Sequence, residues 1–174
     1  MDISISKLTT SDKHDLVNFI KKQDLEDHLL FTRWKDVVDS KEKLSQTVEN
    51  ECNLSKKNGL RLVGKTSTGK ICAFGLIDFF LQKEKNHVAL VGTIVAKEFR
   101  HQGIGKQMLR EEINQSKLYL KTKIRASAHE HNIASIKLHK SLGFKEEGNF
   151  IAEEFNGKFL NVISMALFIE NNTT

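Results

Sequence analysis

The stretch Val95-Ala96-Lys97-Glu98-Phe99-Arg100-His101-Gln102-Gly103-Ile104-Gly105-Lys106 leaves an apolar run and enters a helical pattern through two glycines. The start of an α-helix has several backbone N–H groups without intrahelical partners and carries the positive end of the helix dipole, so a loop with little side-chain bulk there favours anion binding. Arg100, His101 and Lys106 add positive charge. A glycine turn that only caps an amphipathic helix is the alternative, and it would be the better interpretation of an isolated Gly-x-Gly.

The residues before this loop favour the binding interpretation. The apolar and β-branched run Val88–Val95 predicts a buried strand, so the loop lies at a strand-to-helix junction. Ligands of α/β folds bind at such junctions.

Strand, loop and helix together resemble motif A of the GNAT acyltransferase superfamily, V-x-P-x-x-R/Q-x-x-G-x-G/A, with Lys97 in place of the proline. The resemblance implies that the loop holds the pyrophosphate of acetyl-CoA, the acetyl donor. It also implies that the strand separates from its neighbour at a bulge, which Gly92 would mark, leaving a gap for the pantetheine arm. The residues assigned to cofactor binding are Ile94, Val95, Arg100, His101, Gln102, Gly103, Ile104, Gly105 and Lys106.

A second motif follows near residue 132. Asn132, Ser135 and His139 recur at i, i+3 and i+7, and the pattern predicts a polar stripe on a short helix, with Ala134, Leu138 and Leu142 on the opposite side. The segment 132–144 resembles motif B of the same superfamily, N-x-x-A/S-x-x-L-Y-x-x-x-G-F. The resemblance adds Asn132 and Ser135 to the acetyl-CoA contacts.

His139 stands where many members of the family have a tyrosine that protonates the departing coenzyme A thiolate. The phosphinothricin-type acetyltransferases share this histidine, and the resemblance implies that His139 is catalytic. The alternative is a half-exposed helix histidine with no role. His129 and His131 could join it as metal ligands, but no Cys or carboxylate spacing supports this, so no metal site is predicted.

The general base is not identified by the resemblance. The phosphinothricin-type enzymes place a glutamate on the strand that leads to the glycine loop, where this chain has Leu90. An ordered water held by strand carbonyls is one hypothesis for the group that accepts the proton of the amine. Asp24, Glu26 and Asp27 lie in the segment that overhangs the acceptor groove in the GNAT fold, so they either hold an ammonium group or are solvated charge at a helix end.

The rest of the chain predicts alternating helices and strands. The predicted strands cover 3–8, 60–65, 71–81, 123–128, 144–155 and 159–169, with a hairpin turn at Asn156-Gly157, and the further helices cover about 12–22 and 36–56. With the resemblance, this predicts an α/β GNAT fold, a mixed, mostly antiparallel twisted sheet of about seven strands flanked by about four helices. Residues 1–170 are expected to form a single domain, and 171–174 a disordered tail.

Composition excludes several other classes of protein. The net charge of +5 comes from lysines scattered among 22 acidic residues, with one Trp and one Tyr to stack on bases, so no nucleic-acid partner is expected. No apolar run approaches the length of a membrane span, and the residues from Met1 to Leu8 lack the regions of a signal peptide. A cytoplasmic protein is expected, and the sequence leaves open whether it forms a homodimer.

Taken together, the sequence predicts an acetyl-CoA-dependent N-acetyltransferase in which a small-molecule primary amine attacks the thioester directly. The acceptor could be an amino acid or its analogue, a polyamine or an antibiotic. A protein N-terminal or lysine acetyltransferase and a non-catalytic acyl-CoA sensor are the alternatives.

Overall fold

Seven strands form one sheet in the computed structural model, which describes residues 2–23, 34, 36–54, 56–155 and 158–169. They are β1 (Ser4–Lys7), β2 (Gly59–Lys65), β3 (Ile71–Phe79), β4 (Val88–Val95), β5 (Lys123–His129), β6 (Lys145–Phe155) and β7 (Lys158–Phe168). The strand order is β1-β2-β3-β4-β5-β7-β6, and every neighbouring pair is antiparallel except β4 and β5. The predicted fold class, a mixed and mostly antiparallel sheet, is confirmed.

Four α-helices accompany the sheet in the part of the chain described: α1 (Lys13–Ile20), α2 (Lys41–Cys52), α3 (Ile104–Leu118) and α4 (Ile133–Lys140). The prediction of a helix from residue 36 was wrong, because 36–39 form a turn and Ser40 caps α2 by accepting the backbone N–H of Lys43 at 3.3 Å. The helix ends at Cys52, before the predicted end at residue 56. Strand β3 likewise ends at Phe79, short of the predicted Leu81.

Alternation along the strands divides the core between the two faces of the sheet. One cluster contains residues of α1 and α2 with one set of strand side chains: Leu16, Phe19, Ile20, Leu44, Val48, Val63, Phe74, Leu76 and Ile94. The other contains residues of α3 and α4 with the alternate set: Leu62, Ala73, Ile77, Val91, Ile104, Met108, Leu109, Ile113 and Ile136. The α3 and α4 side is therefore separated from the α1 and α2 side by the sheet.

A buried ion-pair cluster joins α2 to the sheet. Arg61 of β2, whose side chain is 3% exposed, pairs through Nε with Glu51 at the end of α2 and through Nη2 with Asp78 of β3 at 2.7 Å. Its Nη1 also donates to the carbonyl of Leu60 at 2.9 Å. A desolvated charge is tolerated here because opposite charges and a carbonyl satisfy it.

Strands β4 and β5 separate within the sheet. Their parallel pairing covers Val88 to Leu90 on β4 and stops there, opposite Arg125. The predicted separation is thus present, but β4 keeps its register with β3 from Ala89 to Val95, so Gly92 marks no bulge against β3. The gap opens because one side of β4 loses its partner while β3 holds the other side in place.

The hairpin of β6 and β7 is also as predicted, with Phe155 pairing with Lys158. The turn residues Asn156 and Gly157 lie outside the described residues, as does the predicted tail of residues 171–174. Within the described ranges, no helix combines the length and apolar composition needed to cross a membrane.

Candidate active site

A cleft of about 440 Å³ lies where β4 and β5 separate, between the starts of α3 and α4. Its wall contains main-chain and side-chain atoms from β4, the glycine loop, α3, β5 and α4. The lining residues are Val91, Gly92, Thr93, Val95, Phe99, Arg100, His101, Gly103, Ile104, Gly105, Lys106, Leu109, Ser127, Ala128, Asn132, Ala134, Ser135, Leu138 and His139. A cleft of this size is within the range of small-molecule and cofactor sites.

The glycine loop enters the cleft through two residues in the left-handed region, His101 with φ of 61° and Gly103 with φ of 80°. Left-handed residues in a turn direct successive backbone N–H groups into a concave surface that suits anions. Lys106 and Gln107 both donate their N–H to the Gly103 carbonyl at 3.1 Å, which closes the first turn of α3. The amides from Gln102 to Gly105 are then the ones at the open end of the helix dipole.

Gly105 has a second role, which is to let α4 approach α3. A β-carbon at this position would lie 3.3 Å from Cδ2 of Leu138 and 3.7 Å from Cγ2 of Val95. The first contact is tighter than ordinary packing, so a side chain here would require the Leu138 side chain to shift by a few tenths of an ångström. Arg100 is held beside the loop by a hydrogen bond from its Nε to the Val95 carbonyl at 3.1 Å.

Helix α4 presents its first two turns to the cleft. Asn132 caps the helix, because its Oδ1 accepts the backbone N–H of Ser135 at 3.1 Å. The predicted separation of a polar stripe from Ala134 and Leu138 was wrong, since both line the same cleft as Ser135 and His139. At 100° per residue, Leu138 lies next to Ser135 around the helix, so polar and apolar residues form one continuous arc.

His139 is buried, with 8% of its surface exposed. Its Nδ1 lies 2.8 Å from the Ser135 carbonyl, and because a carbonyl only accepts, Nδ1 carries the proton of this hydrogen bond. Nε2 is therefore the nitrogen free to exchange a proton in the cleft. Burial lowers the pKa of His139 below 6.5, with the hydrogen bond to Ser135 opposing this, so the neutral ring predominates at neutral pH. Phe144 packs edge-on against the ring at 5.1 Å.

Most of the residues proposed from the sequence line this cleft: Val95, Arg100, His101, Gly103, Ile104, Gly105, Lys106, Asn132, Ser135 and His139. Two others do not face it with their side chains. Ile94 is buried in the cluster on the α1 and α2 side of the sheet. Gln102 is exposed, and its side chain donates to the Glu98 carbonyl at 3.2 Å.

The sequence analysis missed Thr93 and Glu112. Thr93 of β4 lines the cleft, and its Oγ1 donates to Oε1 of Glu112 at 2.6 Å. Glu112 has no exposed surface, and this desolvation raises the pKa of its carboxyl to about 8, against the smaller opposing effect of the Thr93 hydrogen bond. The sequence does indicate that Glu112 is buried, because it is the one carboxylate on the apolar stripe of Met108, Leu109 and Ile113.

The other hypotheses have different outcomes. Asp24, Glu26 and Asp27 lie outside the described residues. His129 and His131 stack with ring centroids 5.3 Å apart. In the described ranges, no three His, Cys, Asp or Glu side chains are grouped so that they could hold a metal ion.

Comparison with known proteins identifies the class of enzyme. The model of the acetyltransferase (GNAT) family matches residues 25–144, which is more than half of the chain. The chain belongs to this family and is an acetyltransferase. A search of curated proteins finds no match to it.

Solved structures with the same fold span nearly the whole chain at low identity. The phosphinothricin acetyltransferase (Pat) from Sinorhizobium meliloti, solved in complex with acetyl-CoA, is 15% identical over 99% of this chain and 91% of that one, with a TM-score of 0.78. The protein yncA from Salmonella typhimurium, solved with its cofactor acetyl-CoA, is 18% identical over 100% of this chain and 98% of that one, with a TM-score of 0.80. The ribosomal-protein-alanine N-acetyltransferase from Brucella melitensis is 23% identical over 95% of this chain and 99% of that one, with a TM-score of 0.77. These likenesses show the fold.

Proposed function

We propose that this acetyltransferase binds acetyl-CoA in the β4–β5 cleft and transfers the acetyl group to a primary amine of a small molecule, such as an amino acid, its analogue, a polyamine or an antibiotic. Residues 1–170 would act as one catalytic domain in the cytoplasm. The observation that carries the proposal is a cleft with an anion-binding loop at one end and a buried histidine in its wall.

The loop is suited to the pyrophosphate of acetyl-CoA. The amides from Gln102 to Gly105 and the dipole of α3 favour a negative group, and Arg100 and Lys106 supply full charges beside them. The pantetheine arm is extended and has two amides, and the unpaired edge of β4 beyond Leu90 offers backbone partners for them. The thioester would then lie deeper in the gap, toward His139.

A small amine is favoured by the histidine at position 139. The phosphinothricin-type enzymes carry the same substitution in motif B, and Pat from Sinorhizobium meliloti has the same fold. The acceptor of the Brucella melitensis neighbour is a ribosomal protein, so a peptide belongs among the acceptors tested.

The reaction joins the amine nitrogen to the acetyl carbon and breaks the carbon–sulfur bond. An ammonium loses two protons in this process, one of which ends on the coenzyme A sulfur. His139 would carry that proton, because its neutral Nε2 can accept a proton from the nitrogen of the tetrahedral adduct and donate it to the thiolate. Nδ1 stays bonded to the Ser135 carbonyl throughout and fixes the orientation of the ring.

The test is release of free thiol from acetyl-CoA with a panel of acceptors: amino acids, polyamines, aminoglycosides and a peptide with an N-terminal alanine. We expect transfer to one class of small amine. His139→Ala should lower turnover by about 10²–10⁴-fold, as for other general acid–base residues, with acetyl-CoA affinity within about twofold of wild type.

His14→Ala is the matched control, since His14 is an exposed histidine of α1 outside the cleft. Its turnover should equal that of wild type. Exclusive transfer to the peptide would refute the small-amine assignment, and turnover of His139→Ala within about threefold of wild type would refute the role of the histidine.

A further inference from the structure

A carboxyl group lies directly behind the wall of the cleft, where the proposed chemistry gives it no role. Glu112 projects from α3 toward β4 and is 0% exposed. Its Oε1 accepts the hydroxyl of Thr93 at 2.6 Å, and its buried Oε2 has no hydrogen-bond partner within the described part of the chain. A buried acidic oxygen without a partner is costly, so its retention needs an explanation.

The opposite strand leaves room for this group. Gly75 of β3 pairs with Thr93 of β4, and a β-carbon on Gly75 would lie 2.4 Å from Oε1 of Glu112. Such a distance is a steric clash, so any other residue at position 75 would force the carboxyl of Glu112 to move from this position. The glycine, the threonine and the glutamate thus form one arrangement contributed by three elements of the fold.

Among the described residues, no other charge explains the position of Glu112, because only desolvation and the hydrogen bond from Thr93 shift its pKa. Helix α3 packs against β2, β3 and β4. The core side chains that these strands contribute on this face include Leu60, Leu62, Ala73, Ile77, Ala89 and Val91. Glu112 is therefore not the partner of a buried cation, in contrast to Glu51 beside Arg61. Its single polar contact on the sheet is a residue that lines the cleft.

We propose that Glu112 is the proton acceptor for the incoming ammonium group and that it acts through the hydroxyl of Thr93. This inference rests on the proposed acetyl transfer to an amine. Thr93 can receive a proton on its oxygen from the cleft while passing its own proton to Oε1 of Glu112. The carboxylate becomes a carboxylic acid, the ammonium becomes a neutral amine, and the total charge is conserved.

The two protons of the reaction then follow separate routes. The first passes from the ammonium through Thr93 to Glu112 and returns to solvent by the same route once the product has left. The second moves from the tetrahedral adduct to the sulfur through His139. Burial supports the assignment, because it raises the pKa of Glu112 to about 8, close to that of an ordinary α-amine.

The pH dependence of kcat/KM with a lysine-type acceptor, whose ordinary pKa is about 10.4, separates this proposal from a structural role. If the active form combines ionised Glu112 with the ammonium, kcat/KM rises to about pH 8 and is then flat. In Glu112→Gln the amine must lose its proton unaided, so kcat/KM should continue to rise about tenfold per pH unit up to about pH 9.5. At pH 8 we expect the Gln variant and Thr93→Val to be reduced by about 10²-fold, and Thr93→Ser to retain activity.

Glu111→Gln is the matched control. Glu111 is the neighbouring residue of α3, and its side chain accepts a hydrogen bond from Gln115 at 2.8 Å on the helix surface. This variant should have the same kcat/KM as wild type, and its pH profile should likewise become flat near pH 8. Glu112→Met tests packing, since it should remain folded in thermal melts yet show the same loss of activity as Glu112→Gln.

The outcomes distinguish the two proposals. A wild type that transfers acetyl to no acceptor in the panel refutes the proposed function and the proton route together. If wild type transfers acetyl but the kcat/KM of Glu112→Gln also becomes independent of pH above about pH 8, only the proton route is overturned. Full activity of Thr93→Val would also overturn the proton route, because this substitution removes the hydroxyl through which Glu112 would exchange protons with the cleft.

Discussion

Replacing Glu112 by glutamine should change how stability depends on pH, whatever the protein acetylates. The folded protein holds the proton of Glu112 up to about pH 8, whereas an unfolded chain releases it near the ordinary value of 4.5. Because the pKa is raised on folding, unfolding releases a proton between these two pH values. The contribution of Glu112 to stability therefore falls as pH rises from about 4.5 to 8 and is level above that range.

The magnitude follows from the same two values. Each pKa unit corresponds to about 1.4 kcal/mol, so the interval from 4.5 to about 8 corresponds to about 5 kcal/mol. Glu112 has no exposed surface, so no reduction for solvent screening applies. This is comparable to the whole unfolding free energy of a marginally stable domain, about 5–15 kcal/mol, and most of the change should already have occurred by neutral pH.

Urea unfolding of wild type and Glu112→Gln at a series of pH values between 5 and 9 measures this effect. The single tryptophan, Trp34, is fully buried, so its fluorescence reports unfolding. Subtracting the two curves cancels the contributions of groups such as His139 and Asp12, whose pKa values are both lowered on folding. The unfolding free energy of Glu112→Gln should increase relative to that of wild type by several kcal/mol as pH rises. The unfolding free energy of Glu111→Gln should have the same pH dependence as that of wild type. A difference that stays constant within about 1 kcal/mol would show that Glu112 is ionised in the folded protein at neutral pH, which refutes the reasoning.

Two further substitutions test the loop and the ion-pair cluster. Gly103→Asp should weaken acetyl-CoA binding at least tenfold in calorimetry, because it adds strain of about 1–2 kcal/mol and a like charge at the proposed phosphate site. Gly69→Asp, at a glycine with a nearly identical φ of 82° in the β2–β3 turn, carries the same strain but should leave affinity unchanged. Equal loss of affinity in both variants would contradict the assignment. Arg61→Met leaves Glu51 buried without its cation and should cost about 3–5 kcal/mol in urea unfolding, whereas Lys70→Met, which breaks an exposed pair, should cost less than about 1 kcal/mol. Similar costs for the two would mean that the Arg61 cluster is not desolvated in solution.

Local patterns in the sequence were sufficient for the elements that form the binding loop. The β-branched run of residues 88–95 and the glycines at 103 and 105 each act over a few residues, and both the strand and the turn into α3 are present in the structure. The errors were also local. The start of α2 was misplaced because residues 36–39 form a turn and the capping side chain that begins the helix is Ser40.

The amino-acid sequence by itself thus determined the family, the order of strands and helices along the chain, and the glycine loop that lines the β4–β5 cleft, because these are encoded by motifs and patterns of residues close in the chain. Only the tertiary structure brought Glu112 against Thr93, which is 19 positions away, and opposite Gly75 on a third element. A carboxylate on an apolar helix stripe can be predicted to be buried, but its partner depends on how α3 packs across β3 and β4. That packing desolvates Glu112 and so decides whether its carboxyl keeps the pKa of an ordinary surface acid or has one raised to about 8.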